Sequence, residues 1–163
     1  MTLANPLDVK REAEKRALDA AMERCTKLVE SMRLANPADA ARSKARLDEV
    51  IKATPKLPMD FKRRISAEAR KFECFSNMRA TDDALKRASE KARHDELGER
   101  NRLVGEARGF CSKASSLGAE PEFKTIANRK IEIIMMTGGV EHKGPTLAKP
   151  LSFAPKTPNA AKG

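Results

Sequence analysis

The sequence contains no tryptophan and no tyrosine, and its only aromatic residues are six phenylalanines. Large apolar side chains are also scarce. Leucine, isoleucine, valine and phenylalanine together make up 30 of the 163 residues, just under the one-fifth level at which disorder becomes an alternative. A β-sandwich or a β-barrel needs more β-branched and aromatic residues than this. The composition therefore argues against both.

Cysteine and histidine are equally sparse, with three and two residues. The cysteines, Cys25, Cys74 and Cys111, are odd in number and far apart, so we expect no disulfide framework and a reducing, cytoplasmic location. Neither His-x-His nor Cys-x-x-Cys occurs. We therefore predict no metal site and no cofactor.

No hydrophobic run is long enough to span a bilayer, since the longest run of large apolar residues is Ile133–Met136 and about 20 residues are needed. The first residues, Met1–Pro6, lack the basic start and apolar stretch of a secretory signal. We expect no contact with a membrane.

Alanine, glutamate, lysine, leucine and arginine are abundant and make up 86 residues, which is typical of long helices and coiled coils. Asn5-Pro6 and Asn36-Pro37 each place an N-cap residue before a proline, which indicates two helix starts. Leu18, Cys25 and Met32 belong to a heptad seam. The sequence thus predicts an all-α fold, an elongated and mostly antiparallel bundle of about five helices.

Apolar spacing and capping residues give approximate bounds for these helices. The predicted spans are 6–34, 37–53, 59–79, 81–117 and 121–137. The third helix has an apolar face of phenylalanine and isoleucine that consists of Phe61, Ile65, Phe72 and Phe75, with Cys74 off this face and open to solvent. Thr81-Asp82-Asp83 predicts the start of the fourth helix. The centre of this fourth segment, 93–102, is almost entirely polar. Two alternatives remain, either one long helix over 81–117 or a break near Gly98, and we favour the single helix. In the last segment the apolar residues Phe123, Ile126, Ala127, Ile131 and Ile134 have helical spacing. Ile131–Met136 would also fit a short β-strand, and we favour the helix because no partner strand is evident elsewhere.

The composition changes at Gly138. Residues 138–163 hold four of the eight glycines and four of the nine prolines, few large apolar side chains, and a net charge of +3. Such a segment buries too little surface to offset its ordering entropy. We predict a helical bundle domain over residues 1–137 and a flexible basic tail over 138–163.

No motif predicts catalysis. The stretch Gly139–Thr146 has the two glycines and the threonine of a phosphate-binding loop, but Pro145 stands where the lysine must be. His94 and Asp95 are neighbours in a helical stretch and would not face each other. We therefore predict a non-enzymatic protein with no evident small-molecule substrate.

A basic segment in the third helix is the one feature above background, because 55–79 and the tail contribute seven of the ten net positive charges. The candidate contacts to nucleic acid or to an acidic partner are Lys62, Arg63, Arg64, Arg70, Lys71 and Arg79. The stripe could neutralise phosphates, or it could simply be the solvated face of an amphipathic helix.

These features support two hypotheses. The first is a helical adaptor or structural subunit that acts through protein–protein contacts or self-association, because an alanine-rich bundle has little large apolar area of its own. The second is a nucleic-acid-binding accessory protein that uses the basic stripe and the tail. We favour the first.

Overall fold

The computed structural model describes residues 5–137, which form five α-helices and, within this range, no β-strand. The helices are α1 (Pro6–Met32), α2 (Pro37–Ala53), α3 (Met59–Arg93), α4 (Leu97–Ser116) and α5 (Pro121–Thr137). The predicted all-α fold with five helices is confirmed. The predicted flexible tail lies outside the described residues.

Both Asn-Pro pairs begin helices as predicted. The Oδ1 atom of Asn5 accepts a hydrogen bond from the backbone N–H of Leu7 at 2.9 Å. The Oδ1 atom of Asn36 accepts one from the backbone N–H of Asp39 at 2.8 Å. Each asparagine thereby satisfies a donor that the first helical turn leaves unpaired.

The predicted boundary between the third and fourth helices at 79–81 is wrong, because α3 continues without interruption to Arg93. Thr81 is fully buried, and its hydroxyl donates a hydrogen bond to the carbonyl oxygen of Asn77 at 2.8 Å, one turn earlier. A threonine that bonds back along a helix does not cap a new one. The Thr81-Asp82-Asp83 pattern therefore lies in the middle of a helix.

The single helix favoured for 81–117 is also wrong, because the chain turns at 94–96. Asp95 has a φ of 57°, and backbone N–H groups donate from Glu96 to Lys91 and from Asp95 to Ala92. These two bonds form a Schellman motif with aspartate at the left-handed position that glycine usually takes. The alternative break near Gly98 lay close to the observed turn, although Gly98 itself is inside α4.

The helix α3 contacts all four other helices, whereas within residues 5–137 α1 and α2 make no contact with α4 or α5. The first half of α3 packs in one apolar core, which we name core A. Its members are Ala21, Cys25, Val29, Met32, Ala40, Leu47, Val50, Leu57, Phe61, Ile65, Ala69 and Phe72. The second half of α3 packs in core B, which consists of Ala84, Leu85, Ala88, Ala92, Leu103, Val104, Ala107, Cys111, Ala127, Ile131 and Ile134.

The buried face of α3 changes sides between the two cores. At 100° per residue, the α3 positions in core A and those in core B point about 160° apart. This change of phase explains the wrong boundary, because the sequence pattern of a new apolar face resembles that of a new helix. It also explains why the two pairs of outer helices lie on nearly opposite sides of α3.

Two further predictions for α3 are wrong for the same reason. Cys74 was expected to be open to solvent, but it is only 5% exposed, and its Sγ atom lies 3.5 Å from the carbonyl oxygen of Ala114 in α4. Phe75, which was assigned to the apolar face, is 43% exposed. The face that looked polar from the sequence is the one that α4 covers.

The first three turns of α1 extend beyond the bundle. Every residue in 5–17 is exposed, and Leu18 is the first that is partly buried. An ion pair of 3.5 Å joins Glu14 in α1 to Lys56 in the connection before α3. No helix within residues 5–137 is both long and apolar enough to cross a membrane.

Candidate functional site

Five of the six predicted basic residues are exposed and the sixth, Lys62, is partly buried. Four of the six, including Lys62, make contacts within α3 or with the turn before it. Arg63 is 76% exposed and lies 3.9 Å from Asp60. The Arg64 guanidinium lies 5.3 Å from the centre of the Phe61 ring, and the Lys71 ammonium lies 5.7 Å from that of Phe72. The fourth is Lys62, which is partly buried with its Nζ atom 3.5 Å from the carbonyl oxygen of Pro55.

Arg70 instead binds the carboxyl end of α4. Its Nε atom donates to the carbonyl oxygen of Leu117 at 3.2 Å, and a terminal nitrogen donates to that of Ser116 at 3.0 Å. The two preceding carbonyls, of Ala114 and Ser115, accept backbone N–H groups in the Schellman motif around Gly118, whose φ is 106°. Arg70 thus binds the carbonyls that this motif leaves free.

Arg79 binds the carboxyl end of α1 in the same way. Its terminal nitrogen donates to the carbonyl oxygens of Arg33 at 3.2 Å and Ala35 at 3.3 Å. The hydroxyl of Ser76 also donates to Ala35, at 2.6 Å. Arg70 and Arg79 therefore hold neighbouring helix ends while their side chains stay exposed, so every member of the predicted basic stripe except the partly buried Lys62 is exposed to solvent.

Sequence reasoning missed a third arginine of this kind. Arg100 is only 6% exposed, and one of its terminal nitrogens donates to the carbonyl oxygen of Met135, in the last turn of α5, at 3.4 Å. Its Nε atom and its second terminal nitrogen donate to the Oδ1 atom of Asn101 at 3.1 and 2.8 Å. Arg100 precedes Leu103 by three residues in the apolar seam of α4, and this spacing is the signal that could have identified it.

The three thiols are buried and do not form a reactive site. Burial raises the pKa of Cys25, Cys74 and Cys111, and nearby cations only partly offset this effect. His94 lies at the end of α3, with its Nε2 atom 3.4 Å from Glu90 on the same helix. Within residues 5–137, no three His, Cys, Asp or Glu side chains are grouped so that they could hold a metal ion.

Two shallow clefts lie between helices. A cleft of about 480 Å³ at the α1–α2 corner is lined by Ser31, Leu34, Ala35, Asp39, Arg42, Ser43 and Arg46. A second, of about 300 Å³, lies between α3 and α4 and is lined by Arg87, Glu90, Lys91, Glu99, Arg102 and Leu103. Ion pairs such as Arg42–Asp39 and Arg102–Glu99 already occupy much of their polar lining. Neither cleft brings a nucleophile next to a base.

Helix α5 has large apolar side chains on two sides. Ala127, Ile131 and Ile134 are buried in core B, whereas Ile126, Ile133 and Met136 are 54%, 55% and 68% exposed. Ile126 belongs to the helix that its spacing predicts, but it does not share the buried face of Ala127, Ile131 and Ile134. We call Ile126, Ile133 and Met136 the α5 outer stripe. Arg129 takes the stripe position between the two isoleucines, and the exposed Lys130 and Glu132 lie on the two sides of the stripe.

Comparison of the chain with known proteins found no match to any protein-family model, to any curated protein or to any solved structure.

Proposed function

We propose that the protein is a non-enzymatic helical adaptor or structural subunit that acts through protein–protein contacts. The observation that carries this proposal is the α5 outer stripe, where three large apolar side chains are exposed at helical spacing in a chain that has few of them. Burying a large apolar side chain contributes roughly 1.5–3 kcal/mol to stability, so a protein with few of them loses stability by leaving three exposed. The proposal includes a cytoplasmic location, which the sparse cysteines support.

Nucleic-acid binding is the second candidate. Arg63, Arg64 and Lys71 keep exposed cationic groups on the outer side of α3, and the net charge is +10. Its support is weaker than at the sequence level, because Arg70 and Arg79, although exposed, also donate to backbone carbonyls at neighbouring helix ends. A phosphate at those N–H groups would compete with these carbonyls.

Purification of the native full-length protein separates the two functions. The adaptor function predicts a protein partner that is retained after nuclease treatment and after a several-fold increase in salt, since apolar burial is insensitive to salt. The nucleic-acid function predicts the opposite, because phosphate binding weakens steeply with salt. Retention of nucleic acid alone, and its loss with salt, would contradict the adaptor proposal.

A variant with Arg63→Ser and Arg64→Ser tests the alternative without disturbing the helix-end contacts. If α3 contacts phosphates, this variant should make the logarithmic salt slope of duplex binding shallower by about two, one unit per lost contact. If the adaptor function holds, neither the wild type nor the variant is retained on duplex or single strands at physiological salt beyond what any strongly basic protein shows. Lys86→Ser with Arg108→Ser, on exposed positions away from the stripe, is the charge-matched control.

A further inference from the structure

We draw no further inference here: the strongest candidate, the apolar α5 outer stripe on the solvent side of the bundle, carries nothing because the exposed charges around it are balanced and nothing within residues 5–137 shows what covers it.

Discussion

Three arginines of this protein donate to backbone carbonyls at the ends of neighbouring helices. Arg79 binds the end of α1, Arg70 the end of α4 and Arg100 the last turn of α5. The last carbonyls of a helix have no partner within the helix, and a cation there also opposes the negative end of the helix dipole. Planar guanidinium groups with several donors suit this role better than lysine does.

Replacement of Arg70 by methionine tests this role. The apolar part of the side chain is kept, but the two hydrogen bonds to Ser116 and Leu117 are lost. We expect the free energy of unfolding to fall by about 1 kcal/mol, the net value of such contacts. Urea denaturation followed by circular dichroism measures it. Arg63→Met is the matched control and should change it by less than about 0.5 kcal/mol, since Arg63 is largely exposed. If the Arg70 variant is as stable as the control, the contacts of Arg70 with the end of α4 do not stabilise the fold.

The two phenylalanines Phe72 and Phe75 form a second matched pair. Phe72 is 6% exposed in core A, with the guanidinium of Arg33, the residue after α1, 5.1 Å from its ring centre, whereas Phe75 is 43% exposed. Phe72→Ala should lower the free energy of unfolding by ~3–5 kcal/mol, because it leaves a cavity in a packed core. Phe75→Ala should lower it by less than half as much. Similar losses at both positions, measured by urea denaturation, would contradict the observed change of face along α3.

At the scale of the element, the continuity of α3 is the main structural result. Its two halves bury opposite faces, so no single stripe runs along the 35 residues. Between the two cores lies a short polar layer, in which Ser76, Asn77 and Thr81 are at most 3% exposed and each side chain donates to a backbone carbonyl. These hydrogen bonds satisfy the polar groups that the crossover from one face to the other buries.

The variant Asp82→Pro distinguishes a continuous helix from two helices that meet at Thr81. If a helix began at Thr81, a proline at 82 would stand at its first turn and would be tolerated. In the continuous α3 it removes a backbone hydrogen bond and clashes with the carbonyl of Met78, so we expect a loss of ~3 kcal/mol or more and weaker helical circular dichroism. Met59→Pro, at the first position of α3, is the control and should be nearly neutral. An equally small effect of both prolines would contradict a continuous α3.

At the scale of the whole molecule, α3 is the only helix of residues 5–137 that contributes side chains to both apolar cores. A chain of helices that contact only their neighbours can unfold in parts. Here the two cores share one helix, and loss of either core removes the packing that supports half of it. We therefore expect the cores to unfold together.

The cysteines report on this coupling, because Cys25 lies in core A and Cys111 in core B. Burial raises the pKa of both thiols, so folding favours the protonated form. The resulting stability is complete below the unfolded pKa of about 8.5 and is lost as the pH rises through the raised folded value. Near pH 8 the folded protein should therefore react slowly with thiol reagents.

Leu103→Ala removes a fully buried side chain from core B and should speed the labelling of Cys25 and Cys111 by the same factor. Leu47→Ala removes a fully buried side chain from core A and should also speed the labelling of both cysteines. Pulse labelling followed by mass spectrometry measures each cysteine separately. Labelling that accelerates only in the mutated core would show that α3 does not couple the two cores.

Features that depend on residues close in the chain follow from local sequence patterns. Asn5 and Asn36 begin helices, Gly118 ends one, and the composition alone indicates an all-α protein. Capping and periodicity act within a turn or two of the chain, so one sequence is enough to recognise them. The turn at Asp95 was not predicted, because aspartate takes the left-handed position where glycine is the usual signal in a sequence.

Local patterns do not specify which neighbour each helix face meets, and the assembled bundle is needed to see it. The basic side of α3 appeared solvated from the sequence, yet α4 packs against it and Arg70 binds the end of that helix. Ile126 and Ile131 have the same apolar character, yet one faces solvent and the other core B. The hydrophobic effect is non-directional and fixes only that apolar surface is buried. Which surface is buried depends on residues that are distant in the chain and meet only once the bundle has assembled.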